Sequence, residues 1–513
     1  MGKLGAASCA IALILLYTQR RDRRLVARAP LAGAALACAA LVCYAAWRYF
    51  LRPGPVGRAD GHVVRFILGA CSGFAVPLAL AWGRALVLQD VPALARAVRG
   101  AKGWTAISVL MGCLFAAVYF FYGQQLGRLG VFDQIDMLFD ADPKFHQSGW
   151  GTEIHTSLHP LLPAGWYLSC TLASRAVAAE WAPLAVSAGF GGLCVTLAAL
   201  YFKKVTGSRL LGLAGAFLLG CTTAHLSFAA MPESYIVAAA TLISLQLLVA
   251  HRQSLRLRFR HAVLVGVLAT GVMITNAAAA LVCYCCWRRT RRAAYVVRWA
   301  AYSLLIGSAL LAAQSLILPQ ACGLEPSEYV YQQRFLHTQT PLGQRLAGLV
   351  NASLVQNVVG WIPAPAVIYG RPALRAGLQY DRLGQATVWL WAVSSLAAAW
   401  MVWRRRTWGS ATFVAALLCL LVAAGFHSQY GYGNLFLYSC CFTFYVLALP
   451  AHGLAGSRSA PVALIVGVIC VAMAVNNARF CRRVPAMLGE LERARGWVSP
   501  GVTDPGKAVH PES

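Results

Sequence analysis

The sequence predicts an all-α polytopic membrane protein. Of its 513 residues, 59% are hydrophobic and only 12% are charged, which is more apolar surface than a soluble fold can bury. Apolar runs recur along the chain, and the net charge of +27 comes in short basic clusters between them. Such clusters are typical of cytoplasmic loops and argue against nucleic-acid binding.

The apolar runs predict a bundle of about 13 to 14 helices. A bilayer crossing needs about 20 residues, so some of the runs are short. The region 261–287 is basic on both flanks, so its two short runs, 261–275 and 277–287, are expected to cross outward and return as a pair. Residues 159–178 are expected to form a helix on the outer surface, because the basic clusters on either side require an even number of crossings. The runs lie near residues 4–17, 29–50, 63–89, 104–122, 181–201, 210–229, 234–250, 261–275, 277–287, 295–318, 386–403, 409–426, 434–451 and 460–477.

Three parts of the chain follow from this pattern. Residues 1–103 form accessory helices, residues 104–477 form the core, and residues 478–513 form a polar tail. Two long outer loops, 123–180 and 319–385, interrupt the core. The 17 cysteines are scattered inside apolar runs, which is typical of core residues and not of disulfides or zinc ligands.

One polar island stands out between the apolar runs, at residues 132–160. It holds five of the 17 acidic residues, including Asp136, Asp140 and Asp142. Clustered carboxylates raise one another's pKa and can act as a general base, or they can share a divalent cation such as Mg²⁺ or Mn²⁺. A solvated loop with helix-capping aspartates is the structural alternative.

Several other polar residues are expected at the same outer face. His155 and His159 are spaced as a zinc pair on a helix, but Pro160 favours an extended His159 that caps the next helix or binds a phosphate or a sugar. Glu233 lies at a helix turn, where it caps a helix or faces the acidic loop. His427 and Tyr430 fit an interfacial aromatic belt or a binding site. Basic residues of the outer loops could bind a lipid phosphate: Arg334, His337, Arg345, Arg371, Arg375 and Arg382.

The order of these features resembles the glycosyltransferase-C superfamily of polytopic membrane enzymes. The matching pieces are the helix 104–122, the acidic motif Asp136 to Asp142, His159-Pro160, Glu233 and the helix pair 261–287. The resemblance covers residues 104–477. Asn276 stands at the turn of the short pair, where these proteins often have a basic residue.

The resemblance implies an enzyme that transfers a sugar from a polyprenyl-phosphate donor to an acceptor hydroxyl of a glycan, lipid or protein. It implies a multi-pass protein of a bacterial inner or plasma membrane, with its active site facing outward. One of Asp136, Asp140 and Asp142 would be the general base. The expected substrate-binding residues are His155, His159, Glu233, Asn276, His427 and Tyr430.

Two other classes remain as alternatives. A lipid or solute transporter would place ionisable groups along a path through the bilayer, whereas the apolar runs here are nearly free of charge. A nonenzymatic scaffold would not need the dense acidic loop. The positions of the ionisable residues separate these classes, since an outer pocket favours the transferase and a through-path favours the transporter.

Overall fold

The computed structural model shows a mostly helical chain, which agrees with the all-α polytopic class. In the part of the chain that it describes, six helices are long and apolar enough to cross a membrane. His155 and the predicted helices before residue 102 lie outside the described residues. The described ranges are 102–134, 136–149, 158–252, 258–288, 293–318, 340–368, 371–431, 435–457 and 459–496.

The described part of the chain contains fifteen α-helices and two β-strands. In chain order they are α1 (Lys102–Arg128), α2 (Pro143–Gln147), α3 (Leu162–Ala173), α4 (Ala182–Thr206), α5 (Arg209–Cys221), α6 (Thr223–Phe228), α7 (Ser234–Ala250), α8 (Phe259–Val272), α9 (Asn276–Arg288), α10 (Ala293–Ile317), α11 (Leu342–Val350), β1 (Ile362–Ile368), β2 (Arg371–Gln379), α12 (Arg382–Arg404), α13 (Ala411–His427), α14 (Leu435–Gly453) and α15 (Ala460–Gly496).

Most apolar runs form helices where the sequence predicts them. The short pair is present as α8 and α9, and the run after Pro160 begins helix α3. The run 210–229 is not one helix as predicted, because Thr222 adopts an extended conformation (φ −63°, ψ 147°) and its side chain accepts a hydrogen bond from the His225 N–H. Threonine at such a position ends one helix and caps the next.

The bundle packs around α14. In its most apolar stretch 72% of the residues are buried, against 22% for α1 and 22% for α12, and it contacts α7, α12 and α13. The helices α1 and α4 approach closely at Gly112 and Gly192, where a Cβ on either residue would collide with the backbone oxygen of the other. Small residues at such a crossing allow close helix packing in membranes.

The longest helix, α15, extends past the bundle. Its 37 residues span about 55 Å, which exceeds the roughly 30 Å of a bilayer core. The helix therefore does not end near residue 477, where the predicted tail begins, and its C-terminal half packs on both β strands. Asp381 caps α12 through the Gly384 N–H and also pairs with Arg479 and Arg483 of α15.

A β-hairpin occupies part of the predicted outer loop 319–385. Strands β1 and β2 pair antiparallel, with an irregularity between Ile362 and Ala364. Leu374 of β2 also forms a bridge to Leu138 in the acidic loop. The hairpin thus connects the acidic loop to α15.

A buried asparagine joins three distant segments of the bundle. The Asn477 amide nitrogen donates to the carbonyls of Cys221 (2.6 Å) and Val358 (2.7 Å), and its Oδ1 accepts from the Gly360 N–H (2.7 Å). These bonds satisfy the backbone at the end of α5 and in the segment before β1, so Asn477 holds α15 against both.

Replacing Asn477 by alanine should destabilise the protein by about 3 kcal/mol or more, because three buried backbone groups lose their partner and each unpaired group costs about 1–3 kcal/mol. Unfolding of the detergent-solubilised protein by heat and by denaturant measures the effect. The exposed Gln385→Ala variant is the control and should change stability by less than about 0.5 kcal/mol. Equal stability of the two variants would contradict this role for Asn477.

Candidate active site

The acidic loop, residues 136–142, has an unusual backbone. Asp136, Phe139 and Asp140 all have positive φ angles, of 60°, 56° and 62°. Residues other than glycine rarely adopt this conformation, and each costs about 1–3 kcal/mol. The surrounding contacts must therefore hold the loop in place.

Two sets of contacts hold it. The Phe139 N–H donates to the Leu374 carbonyl (2.8 Å), and the Leu374 N–H donates to the Met137 carbonyl (2.9 Å). The Phe139 ring packs against three aromatic rings with centroid distances of 5.4 to 5.8 Å. These are the rings of Trp361, Phe436 and Phe480.

The three predicted catalytic aspartates have different surroundings. Asp140 is buried and forms an ion pair with Arg375 of β2. Burial raises the pKa of Asp136, and the nearby Arg375 guanidinium opposes that shift. Asp142 forms no ion pair among the described residues. Arg375 thus neutralises one end of the acidic motif and leaves the other end without a cation.

Asp142 meets Glu233 at the start of α7. The Asp142 N–H donates to Oε2 of Glu233 (3.1 Å), while Oε1 of Glu233 accepts from the Ser234 N–H (2.7 Å). Glu233 therefore caps α7 with one carboxylate oxygen and faces the acidic loop with the other. Its own N–H donates to the Ser187 hydroxyl (3.2 Å).

The side chain of Asp142 has the features of a reactive group. Asp142 is the N-cap residue of α2, yet its side chain makes no capping bond, and its buried Oδ1 has no hydrogen-bond partner among the described residues. Burial, followed by the charges of Glu233 and Asp136, raises the pKa of Asp142 to about 8. Perturbed carboxylates of this kind are frequent in active sites.

A cavity of about 330 Å³ lies beside this region, between the α8–α9 turn and helices α7, α13 and α14. Its walls are mainly apolar, and Asn276, His427 and Tyr438 are among the polar residues that line it. Cavities of this size and character bind small or chain-like ligands.

Aromatic side chains connect the cavity to the carboxylates. Tyr438 lines the cavity, stacks on His427 with a centroid distance of 4.5 Å, and contacts Tyr235 at 5.6 Å. Tyr235 is two residues from Glu233 in the chain. Tyr430 packs against Tyr438 at 5.8 Å. The predicted residues Glu233, His427 and Tyr430 are thus brought into one region with Asp142.

Two other predicted residues, His159 and Asn276, form hydrogen bonds to backbone carbonyls of α8. His159 Nδ1 bonds to the Val272 carbonyl (2.6 Å), so it fixes the start of α3 to the end of α8. Asn276 begins α9 and donates from Nδ2 to the Ala269 carbonyl (3.3 Å), although it also lines the cavity.

His146 is a site residue that sequence reasoning did not select. It lies in the polar island four residues after Asp142, and its Nδ1 is 3.9 Å from Oε1 of Glu233. Its place in the same charged segment was the available signal. The sequence alone does not show that Glu233 lies next to this histidine, because the two residues are brought together only by the fold.

The described residues do not form a metal site. Within the described residues, no three His, Cys, Asp or Glu side chains are grouped so that they could bind one, and Arg375 already pairs with Asp140. Comparison with protein-family models, curated proteins and solved structures finds no match to this chain.

Replacing Asp142 by asparagine should stabilise the protein increasingly as the pH rises. The folded-state pKa of about 8 is above the ordinary value of 3.8, so the folded chain binds this proton more tightly than the unfolded chain. Between about pH 4 and pH 8 the wild type therefore loses stability as pH rises, by up to about 1.4 kcal/mol per unit from this group, whereas the amide does not titrate.

Melting temperatures of the two proteins in detergent between pH 5 and pH 9 measure this difference. Asp133→Asn is the matched control, because it removes an exposed carboxylate that lies three residues before the acidic loop. A stability difference between wild type and Asp142→Asn that stays constant over this range would contradict the raised pKa of Asp142.

Proposed function

We propose that the protein is a membrane glycosyltransferase that moves a sugar from a polyprenyl-phosphate donor to an acceptor hydroxyl at the outer face of the membrane. One observation carries the proposal: aromatic side chains connect an apolar cavity to the region of Asp142, whose buried Oδ1 has no hydrogen-bond partner among the described residues. The resemblance of residues 104–477 to the glycosyltransferase-C superfamily points to the same reaction.

Asp142 is the proposed base. A general base works best when its pKa is near the working pH, and the pKa of about 8 meets that condition at neutral to slightly alkaline pH. Asp140 is a poorer choice because Arg375 occupies it. Among the described residues, Arg375 acts on Asp140 and on Asp136, whereas no cation pairs with Asp142.

The cavity is the proposed site for the start of the polyprenyl chain. Its mainly apolar walls suit an isoprenoid, and the polar end at His427 and Tyr438 suits a phosphate or a sugar. Arg345 lies against the same turn, where its Nη1 donates to the Ser428 carbonyl (2.9 Å) and to Oε1 of Gln429 (2.6 Å). No described carboxylate forms an ion pair with Arg345, so its charge favours an anion there.

The reaction is a single displacement. The acceptor hydroxyl transfers its proton to the ionised Asp142, and its oxygen forms a bond to the anomeric carbon of the donor. The bond between that carbon and the phosphate oxygen breaks, and polyprenyl phosphate leaves with the electron pair. Attack from the face opposite the phosphate inverts the anomeric centre.

Asp142→Asn should lower transfer by about 10²–10⁴-fold, the usual contribution of a general base. The measurement is release of polyprenyl phosphate from a panel of radiolabelled polyprenyl-phosphate sugars by purified protein in lipid vesicles. Asp133→Asn, which changes an exposed carboxylate just before the acidic loop, should keep wild-type rates. Full activity of a folded Asp142→Asn variant would exclude Asp142 as the base.

No release from any donor by the wild type would argue against the transferase. Translocation of a labelled polyprenyl-phosphate lipid across the same vesicles would then favour the lipid-transporter alternative.

Ala423→Trp should weaken donor binding, because Ala423 lines the cavity and the indole would fill much of it. The KM for the donor should rise at least tenfold. Leu421→Trp is the matched control, since Leu421 lies on the same helix but is 56% exposed. Similar KM values for both variants would show that the cavity does not hold the donor.

A further inference from the structure

His146 has a buried nitrogen that the structure leaves without a partner. The residue is only 5% exposed, and among the described residues nothing forms a hydrogen bond to its Nε2. Buried polar atoms are nearly always hydrogen-bonded, and an exception within a candidate site calls for an explanation.

The neighbours of the other ring nitrogen determine the tautomer. Nδ1 lies 3.4 Å from the Asp142 carbonyl and 3.9 Å from Oε1 of Glu233. A carbonyl oxygen can only accept a hydrogen bond, and so can an ionised carboxylate. The tautomer with its hydrogen on Nδ1 matches these acceptors, and in that tautomer Nε2 carries a lone pair.

The imidazole ring is also held in a fixed orientation. It packs edge-to-face against Trp166 with a centroid distance of 5.3 Å, and the Trp166 Nε1–H donates to the backbone carbonyl of His146 (3.0 Å). A lone pair held in this way is preorganised for a ligand, since little conformational freedom is lost on binding.

Oδ1 of Asp142 and Nε2 of His146 are thus two buried polar atoms, four residues apart in the chain, that have no hydrogen-bond partner among the described residues. Both residues contact the same Glu233 carboxylate, one through its backbone N–H and the other through Nδ1. Such a pair suits a ligand that donates hydrogen bonds from two neighbouring groups.

We propose that His146 Nε2 binds a second hydroxyl of the acceptor, adjacent to the hydroxyl that reacts at Asp142, so that the acceptor is a polyol such as a saccharide. This inference rests on the proposed function and specifies its acceptor. The second hydroxyl keeps its proton and donates a hydrogen bond to Nε2. The reacting hydroxyl gives its proton to Asp142.

The test compares glycerol, which has adjacent hydroxyls, with 1-propanol, which has one. Purified protein in vesicles receives radiolabelled polyprenyl-phosphate sugars, and transfer to each alcohol is measured relative to hydrolysis of the donor by water. The wild type should favour glycerol at least tenfold. In His146→Phe, which keeps a ring against Trp166 but lacks both nitrogens, this preference should fall to within twofold.

Two further variants separate binding from folding. His146→Gln supplies an amide oxygen that can accept a hydrogen bond, so part of the preference should return. His452→Gln alters a buried histidine whose nitrogens bond to Tyr201 and Ser410 at another place in the bundle, and it should leave the preference intact. If His146→Phe instead lowers transfer and hydrolysis together and keeps the wild-type preference for glycerol, the role of His146 is purely structural and the proposal is overturned.

A second measurement does not depend on activity. The ¹⁵N resonance of His146 Nε2, assigned by its loss in His146→Gln, should show an unprotonated nitrogen that shifts when glycerol is added. A protonated Nε2 would overturn the proposal. If no donor is cleaved by the wild type, the transferase proposal fails, and this spectrum alone decides whether Nε2 is a ligand site.

Discussion

Two backbone hydrogen bonds to Leu374 fix the acidic loop, and the geometry of the site depends on them. Three residues of the loop have backbone angles in the left-handed region, which glycine adopts more readily than any other residue. Two contacts offset the energetic cost of these angles. Leu374 of the hairpin forms backbone hydrogen bonds to the loop, and the Phe480 ring of α15 packs against Phe139. Elements late in the chain thus shape a loop that comes early in it.

The held loop gives neighbouring carboxylates different properties. Asp140 points to a guanidinium, whereas Asp142 is buried near Glu233 and Asp136. Sites that use acid–base chemistry often contain carboxylates whose surroundings separate their pKa values. Arg375 is therefore as important to the proposed chemistry as the aspartates, because it determines which of them is left to act.

The sequence predicted the helices and the acidic loop because apolar runs and isolated charges are strong local signals. It could not predict the hairpin, since Pro363, Pro365 and Pro372 argue against strands. Proline is tolerated here because both strands of a two-stranded sheet are edges. The sequence also could not predict that Asp140 and Asp142 have different surroundings, because these depend on Arg375 and Glu233, which are distant in sequence.

Glu233 connects the membrane helices to the loop chemistry. One carboxylate caps α7, accepts the Asp142 N–H and lies near the His146 ring. Since α7 also forms part of the cavity wall through Leu242, a movement of this helix would shift the cavity and the carboxylates together. In the proposed reaction, α7 would then align a donor chain in the cavity with an acceptor at Asp142. A displacement between two bound substrates requires such alignment.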